Sequence, residues 1–318
     1  MKRTLMCLLL FTLCRLSYAA YPEKPVAVIV PFPAGGSTDV VARTMGLKMT
    51  EKLGQSFIID NRPGATGAIG AGIVKRAAPD GYTLLVASIG VWAVNPFLQK
   101  NLPYDPAKDF DLLTVAVRAP NVLVVHPSIP THSVAELVHY MKKNASKVTF
   151  ASSGAGSSDH LTAELFWQKT ATKGLHVPYK GGAPAVADLL GGHVDASFQN
   201  LNVVVPHVNA GKMKALAQTG TKRSAQLPNV PTMEEAGVRD VVVYSWQAAG
   251  APKGLQPDVK AKLHKAMVEA LGEPQTRRKM EDQGFEIVAN TPEQFAQFLQ
   301  QELARWKQVI ETGHITLD

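Results

Sequence analysis

The chain has 318 residues, of which 46% are hydrophobic and 19% charged, a balance typical of a globular protein with one large or two ordinary domains. The formal net charge is +7, of which Lys2, Arg3 and Arg15 contribute three with no acid nearby, so residues 21–318 carry +4. Because this charge is modest and no block of five like charges occurs, nucleic-acid binding is not indicated.

The first 20 residues have the pattern of an export signal. Two basic residues precede an apolar segment at 5–13, and Ser17-Tyr18-Ala19 places small residues where a signal peptidase reads them. We expect cleavage after Ala19 or Ala20 and a periplasmic location. Both cysteines lie inside this segment, so the remaining chain has no disulfide or thiol chemistry. Beyond it, no stretch approaches the ~20 consecutive apolar residues of a membrane-spanning helix.

The chain after the signal opens with a strand, a glycine turn and a helix start. The β-branched run Val26–Val30 predicts a buried strand, which two prolines end. Gly35 and Gly36 allow positive φ, and Ser37 or Thr38 is the expected N-cap of the following helix. A helix start with a glycine turn can bind an anion, although an ordinary strand-to-helix turn has the same composition.

The next elements continue this alternation. We predict a second strand at residues 57–60, a helix of small residues ending near Ala78, and a third strand at 82–87. Short connections in a β-α-β-α-β order indicate a parallel sheet with helices on both faces. Ligands bind such sheets at the carboxyl ends of the strands, where residues 31–38 and 88–90 lie.

The middle of the chain repeats the opening layout. Two strands are predicted at 112–117 and 122–125. A further strand at 148–151 is followed by a polar, glycine-containing turn at 152–160 and a helix at 161–170. Two lobes of this kind, with their polar turns facing each other, would form a cleft.

The remaining predicted elements keep the α/β pattern. Strands are expected at 176–179, 195–199, 215–219, 241–249 and 285–289, and helices at 133–144, 183–190, 203–211, 232–237, 257–271 and 291–311.

Nucleotide and metal binding find little support in the motifs. The glycines at 64–72 do not have the G-x-G-x-x-G spacing, because Lys75 occupies the third glycine position, and small residues packing a helix on a strand explain them more simply. His132 and His139 lie seven residues apart and can share a helix face, but two ligands make an incomplete metal site. We therefore expect no cofactor and no metal.

Hydrolase chemistry stays open as an alternative. No G-x-S-x-G motif occurs, yet Ser157 or Ser158 with His160 could form a nucleophile and base of a serine esterase. Serines at a helix start more often cap the helix or bind a ligand. The predicted cleft contains hydroxyls, small residues and backbone amides with few charged catalysts, which favours binding over acid–base chemistry.

Short motifs are distributed over most of the chain after residue 20. They are PFPAGGSTD (31–39), NRPGA (61–65), PDGYTL (79–84), LPYDP (102–106), ASSG (151–154), PYKG (178–181), DLLGG (188–192) and LPNVPT (227–232). Together they resemble the Bug-type periplasmic solute-binding receptors, the substrate-binding component of tripartite tricarboxylate transporters. The resemblance implies an α/β, two-lobed periplasmic-binding-protein (Venus-flytrap) fold, each lobe a mostly parallel sheet flanked by helices.

The resemblance also implies the bounds of the two lobes. The first lobe takes residues 21–122 plus 240–318, the second takes residues 123–239, and hinges are expected near 119–123 and 238–246. The tryptophans Trp92 and Trp246 are expected to pack in the core rather than to stack on a ligand.

The implied ligand is a small carboxylate: a di- or tricarboxylate, an acidic amino acid or an aromatic acid. Family receptors grip one carboxylate with backbone amides and ordered waters rather than with an arginine clamp. Carried over by motif, the expected contacts are Phe32, Ala34, Gly36, Ser37, Thr38, Asp39 and Ser88 from the first lobe, and Ser152, Ser153, Ser157, Ser158, Tyr179, Gly182 and Asp195 from the second.

The resemblance assigns roles to some of these contacts. Phe32 covers the ligand with an apolar face, and Ser152 and Ser157 donate hydroxyl bonds. Asp39 orders its loop or accepts a bond from a ligand amine or hydroxyl. The expected protein is a monomeric receptor without enzymatic activity, whose partner is a membrane permease or, in some relatives, a sensor protein.

Overall fold

The computed structural model describes residues 21–316, so the expected signal peptide at residues 1–20 lies outside the described residues. The strands are β1 (Val26–Val30), β2 (Phe57–Asn61), β3 (Thr83–Ser88), β4 (Phe110–Val125), β5 (Thr149–Ser152), β6 (Leu175–Pro178), β7 (Ala196–Asn200), β8 (Lys214–Gln218), β9 (Tyr244–Pro252) and β10 (Glu286–Ile287).

The helices flank these strands in the order of an α/β fold. They are α1 (Ser37–Leu53), α2 (Ala68–Lys75), α3 (Asn95–Leu98), α4 (Val134–Lys143), α5 (Ser158–Thr170), α6 (Gly182–Leu190), α7 (Leu201–Asn209), α8 (Pro257–Gly272), α9 (Pro274–Asp282) and α10 (Pro292–Gly313). Within residues 21–316, none of the helices combines the length and the apolar character needed to cross a bilayer.

The sheet has two halves that share β4. The strand order is β2-β1-β3-β9-β4-β7-β5-β6, and β10 and β8 also pair with β4. The expected parallel order is present in β2-β1-β3 and in β6-β5-β7. The strands between them pair antiparallel, so the sheet of the whole fold is mixed.

Strand β4 corrects the sequence prediction of two separate strands at 112–117 and 122–125. It is one 16-residue strand that pairs with β9 from Phe110 to Pro120 and with β7 and β8 from the next residues to Val125. Pro120 lies where the ladder changes partner. Proline is tolerated there because an interruption in the ladder leaves no hydrogen bond for the missing N–H to make.

Smaller corrections concern helix boundaries. Helix α9 was not predicted, and the expected helix at 232–237 is a series of turns. The N-cap of α1 is Gly36, without a side-chain bond, rather than Ser37 or Thr38. The predicted 291–311 helix is confirmed as α10, whose Thr291 and Gln294 form a reciprocal capping box.

The hydrophobic core is continuous across both halves on one face of the sheet. One buried cluster joins Trp92 and Trp306 of one half with Phe150, Phe166 and Phe198 of the other. A second cluster packs α1 and α8 on β1, β3 and β9, and a third packs α6 and α7 on β4. Burial of Trp92 and Trp246 confirms that both are core residues.

Two indoles of the core, those of Trp246 and Trp306, bind one buried carboxylate. Glu302 of α10 accepts a hydrogen bond from Trp246 Nε1 at 2.8 Å and another from Trp306 Nε1 at 3.0 Å. Trp246 lies on β9 and Trp306 on α10, so this carboxylate fastens α10 to the sheet.

Replacing Glu302 tests how much the fold depends on this carboxylate. We expect Glu302→Ala to lower the free energy of unfolding by about 2–5 kcal/mol, because two buried N–H donors lose their acceptor. Glu302→Gln keeps an acceptor oxygen and should lose less than half as much. Urea denaturation measures both, with the solvent-exposed Gln300→Ala on the same helix as the control. Equal losses in the Ala and Gln variants would contradict the explanation.

Candidate functional site

Two similar loops lie at the carboxyl ends of equivalent strands. The first loop, residues 31–36, joins β1 to α1, and the second loop, residues 153–157, joins β5 to α5. Their sequences are similar: AGGSTD at 34–39 and GAGSSD at 154–159. Each loop therefore places small residues before a helix start and an aspartate in the first turn of the helix.

The aspartate of the first half holds the first loop. Asp39 accepts hydrogen bonds from Gly35 N, Arg43 Nε and Asn61 Nδ2, each at 2.9 Å. Burial alone would raise the pKa of this carboxyl group, but the bonds from Arg43, Gly35 and Asn61 lower it below its ordinary value. Asp39 orders its loop, and its charged form is favoured by the fold.

The aspartate of the second half is in a different environment. Asp159 Oδ2 accepts bonds from Ser153 N at 2.6 Å, Ser153 Oγ at 2.7 Å and Gln199 Nε2 at 3.1 Å. Its Oδ1 is buried and has no hydrogen-bond partner among the described residues. Burial raises the pKa of Asp159 above its ordinary value in spite of the bonds from the serine.

The backbone of the two helix starts is suited to an anion. The first intrahelical bonds run from Val40 N to Gly36 O and from Leu161 N to Ser157 O. The N–H groups of the residues between these positions have no partner within the helix, and the positive end of the helix dipole lies beside them. Ser157 caps α5 by accepting a hydrogen bond from His160 N, so this N–H group at the start of α5 is already paired.

Two histidines fasten the second loop. Gly156 N donates to Nδ1 of His160 at 3.0 Å, and Nε2 of His176 lies 2.6 Å from Ser152 Oγ. The two imidazole rings stack with centroids 3.7 Å apart. Burial, together with the neighbouring His160, lowers the pKa of His176 to about 3, so this ring is neutral at physiological pH.

The two halves meet at these loops. Asn202 Nδ2 donates to Ser37 Oγ at 3.1 Å, a bond from α7 to the first turn of α1. A Cβ atom on Gly156 would lie 2.9 Å from Leu98 Cδ1, and the φ of Gly156 is 77°. Only glycine meets both requirements without strain, so close contact between the halves depends on it.

The structure brings most of the predicted site residues together. Phe32, Ala34, Gly36, Ser37, Thr38 and Asp39 lie on the first loop and the start of α1, and Ser152, Ser153, Ser157 and Ser158 lie on or beside the second loop. Ser88 ends β3, and Gly182 begins α6, where a Cβ atom would lie 3.3 Å from Ser153 Oγ. Tyr179 follows β6 and donates its hydroxyl to Asp188 at 2.6 Å.

Asp195 is not part of this group. It precedes β7, and its carboxylate accepts from Thr149 N and Thr149 Oγ1, both at 2.8 Å. Thr149 begins β5 and Ser152 ends it, so Asp195 lies at the opposite edge of the sheet from the second loop. The structure therefore gives Asp195 the role of joining two strand starts.

Several polar residues of the site were missed by the sequence prediction. They are Asn61, His176, Gln199 and Asn202, which hold the loops or join the halves. Asn61, Gln199 and Asn202 lie at or just after the carboxyl ends of β2 and β7, and this position alone could have indicated them.

The esterase alternative requires a bond between a serine hydroxyl and the imidazole of His160. Instead, Ser157 Oγ donates to the carbonyl of Gly154 at 2.5 Å, and Ser158 Oγ accepts from an asparagine at 3.5 Å. Nδ1 of His160 instead accepts a hydrogen bond from the N–H of Gly156. The geometry gives this alternative no support. In residues 21–316, no group of three or more potential metal ligands is arranged to hold an ion.

Comparisons with known proteins agree with this geometry. The sequence pattern described as "Tripartite tricarboxylate transporter family receptor" matches residues 41–315. Protein BugT of Bordetella pertussis is 39% identical over 295 residues, which cover 92% of this chain and 90% of that protein.

Two solved structures have the same fold. The R. palustris protein Rpa4515, solved with adipate, has a TM-score of 0.89 at 36% identity and covers 93% of this chain and 100% of that one. MatC from Rhodopseudomonas palustris, solved with bound malate, has a TM-score of 0.85 at 32% identity and covers 91% and 100% of the two chains.

The two aspartates give a matched test of the loops. At about pH 7 we expect Asp39→Asn to lower the free energy of unfolding by about 1–2 kcal/mol, because charge-assisted bonds are lost. Asp159→Asn should lower the free energy of unfolding by a smaller amount, because the fold already disfavours the ionised form of Asp159. Urea denaturation measures both variants.

The same pair should respond to pH with opposite signs. The stability that Asp39 contributes is present above its unfolded pKa of about 3.9 and is lost as the pH falls through its lower folded value. Asp159 has a raised folded pKa, so the wild type gains stability relative to Asp159→Asn as the pH falls towards protonation of this group. Parallel pH profiles for the two variants would contradict the assigned environments.

Proposed function

Because the chain belongs to the tripartite tricarboxylate transporter receptor family, we propose that it is a periplasmic receptor that captures a small carboxylate between its two halves for a membrane permease. The observation that carries this proposal is the pair of glycine-containing loops, each before a helix start, that meet where Asn202 bonds to Ser37. The relatives solved with adipate and malate support a carboxylate as the ligand class.

The ligand carboxylate is held by backbone N–H groups, hydroxyls and ordered waters. Arg43, the basic side chain beside the first loop, is already bonded to Asp39, and Lys180 beside the start of α6 is exposed. An anion at two helix starts needs no further cation, since the free N–H groups and the dipoles stabilise it. The proposed ligand contacts are the site residues predicted from the sequence, with the exception of Asp195.

The two halves of the sheet are the two lobes. The proposed bounds, residues 21–122 plus 240–318 and residues 123–239, are supported by β4, which changes partners after Pro120, and by β9, which begins at Tyr244. Hinges at 119–123 and 238–246 would then lie in the two segments that connect the lobes. Closure about them brings the two loops onto one ligand.

The receptor is proposed to catalyse nothing, because Ser157 beside His160 is engaged in a turn and a helix cap. It is also proposed to act as a monomer. Its export would use residues 1–20 as a cleaved signal peptide. A permease is the proposed partner, and a sensor protein is the alternative in relatives of this kind.

A thermal-shift screen of the mature protein tests the ligand class. The panels are di- and tricarboxylates, including adipate and malate, acidic amino acids and benzene carboxylates. A ligand at 100 times its Kd should add about 2.7 kcal/mol to the free energy of unfolding, which shifts the melting temperature visibly. A hit in one panel identifies the class.

If no compound in any panel shifts the melting temperature, one further step is required, because a ligand carried from the expression host would mask binding. The protein is therefore denatured, dialysed, refolded and screened again, which is feasible since residues 21–318 contain no cysteine. Silence after refolding would overturn the carboxylate proposal. Turnover of generic esters would overturn the non-enzyme proposal.

The contact between the halves makes a separate prediction. Asn202→Ala removes the bond to Ser37, so closure should be less favourable and the Kd for a carboxylate hit should rise about fivefold, equivalent to ~1 kcal/mol. The melting temperature without ligand should change little, because Asn202 is half-buried at the surface of α7. Asn209→Ala, at the exposed end of the same helix, is the control, and equal Kd values for the two variants would contradict the prediction. Titration calorimetry gives the Kd values.

A further inference from the structure

A strained turn follows β2, at the edge of the sheet that carries the first loop. Residues 64–67 form this turn, which is closed by a hydrogen bond from Gly67 N to Gly64 O at 2.9 Å. Between the two glycines, Ala65 has a φ of 45° and Thr66 a φ of 50°. Such left-handed turn positions favour Asn and Gly, and a β-branched residue such as threonine rarely adopts this conformation. Both side chains are exposed, so burial does not explain why the turn keeps this shape.

Two amide side chains from the segment after β3 hold this turn. Asn95 Nδ2 donates to the carbonyl of Thr66 at 3.1 Å, and Thr66 Oγ1 lies 3.2 Å from Asn95 Oδ1. Gln99 Nε2 donates to the carbonyl of Ala65 at 3.0 Å and also bonds to the hydroxyl of Thr66. Strained backbone persists only where its surroundings over-determine it, and such places are frequent at functional sites.

Asn95 is itself fixed by a tyrosine, and both residues are buried. Asn95 Nδ2 donates a second bond, to Tyr104 Oη at 3.1 Å, and Tyr104 Oη donates to the carbonyl of Val91 at 2.8 Å. Burial raises the pKa of the Tyr104 hydroxyl, so this group stays protonated and remains a donor. Val91 belongs to a π-helical turn, Gly90–Val94, that follows the end of β3. The network therefore joins the strained turn to the end of a second strand.

The strained turn also supports the ring of Phe32. A Cβ atom on Gly67 would lie 3.3 Å from Phe32 Cζ and 2.5 Å from Val91 Cγ2, so the backbone of Gly67 lies against both side chains. The backbone of Phe32 is held separately, because its carbonyl accepts a bond from Asn61 Nδ2 at 3.0 Å. Phe32 is half-buried and packs against two of the core clusters. The position of the ring end therefore depends on where the turn places Gly67.

We propose that Asn95 and Gln99 are positioning residues for Phe32, which set the distance between its ring and a bound ligand and so select for the apolar length of that ligand. This inference rests on the proposed function, in which Phe32 covers the ligand with an apolar face. A ring held close to the ligand stabilises binding of methylene groups, because apolar surface on both partners is removed from water. Adipate has a longer apolar chain between its carboxylates than malate, which carries a hydroxyl group there. Adipate binding should therefore depend on the position of the ring more than malate binding does.

The test compares two variants of the network with one control. Gln99→Ala removes the outer support of the turn, and it should fold because Gln99 is half-buried and outside the hydrophobic core. Asn95→Ala removes the buried support. The control is Gln275→Ala, the replacement of an exposed glutamine on α9. Circular dichroism checks that each variant is folded, and titration calorimetry at one pH gives the Kd values for adipate and malate.

The expected result is a change in the ratio of the two Kd values. Loss of apolar cover over about one methylene group raises a Kd about fourfold. In Gln99→Ala the Kd for adipate should therefore rise about fourfold and the Kd for malate less than about twofold. Asn95→Ala should change the ratio in the same direction, and Gln275→Ala should bind both probes as the wild type does. A ratio that is unchanged in both network variants would overturn the inference.

A double-mutant cycle separates a positioning role from a general structural effect. Phe32→Leu keeps an apolar side chain but removes the ring end that lies against Gly67. If Gln99 acts through this ring, Gln99→Ala should no longer change the ratio of the two Kd values in a protein that already carries Phe32→Leu. An equal effect of Gln99→Ala in both backgrounds would show that it acts independently of Phe32 and would contradict the proposal.

A further measurement does not need a ligand. Hydrogen-exchange protection of the Gly67 amide reports on the turn, because this N–H donates to Gly64 O. The aromatic NMR signals of Phe32, assigned by their absence in Phe32→Leu, report on the ring. Gln99→Ala should lower the protection of Gly67 and shift the ring signals, whereas Gln275→Ala should change neither. Ring signals that stay the same in Gln99→Ala and in Asn95→Ala would rule out the positioning role.

The two kinds of measurement distinguish failure of this inference from failure of the proposed function. If neither probe binds the wild type while the ring signals shift in Gln99→Ala, the carboxylate proposal loses support and the positioning of Phe32 is confirmed. If both probes bind and the ring signals shift but the ratio of the Kd values stays constant, Phe32 does not select the ligand and the inference is overturned.

Discussion

Strand β4 is the constraint on which the rest of the structure depends. It pairs with β9 along its first part and with β7 and β8 along its last part, so the two halves of the sheet share a continuous backbone. On one face they also share a buried cluster that runs from Trp306 to Phe198. The halves therefore do not form independent units, because they share both a strand and part of the core.

The recurring order of strand, turn and helix could be predicted from the sequence because each step is local. Val26–Val30 is β-branched, two prolines end it, and a polar helix start follows, and the structure confirms β1 and α1. The break between the expected strands at 117 and 122 was wrong for a local reason: Pro120 is normally a sign of a strand end. A proline is acceptable within β4 only because the strand pairs with β9 before it and with β7 after it. Such long-range pairing cannot be predicted from the local sequence.

The loops of the site could be predicted from the sequence, whereas the residues that hold these loops in place were harder to predict. Glycines and serines at strand ends indicate a turn that can bind an anion, whichever residues lie behind it. The residues that hold those turns come from distant segments: Asn61 bonds to Asp39, His176 to Ser152 and Gln199 to Asp159. Single-sequence patterns contain no record of such pairings. Asp195 shows the reverse error, since a motif placed it near a ligand and the register of β7 places it at the other edge of the sheet.

The two loops have nearly the same sequence but depend on different electrostatics. Asp39 is held by the guanidinium of Arg43, a side chain that is 51% exposed, whereas Asp159 is bound only by neutral groups and is fully enclosed. Salt weakens interactions between charges near the surface and has little effect on buried neutral bonds. Arg43 is the charged partner of Asp39 that solvent reaches, whereas Gly35 N and Asn61 Nδ2 bind the same buried carboxylate as neutral donors. The first loop thus has one salt-sensitive support among three, and the second loop has none among the bonds that hold Asp159.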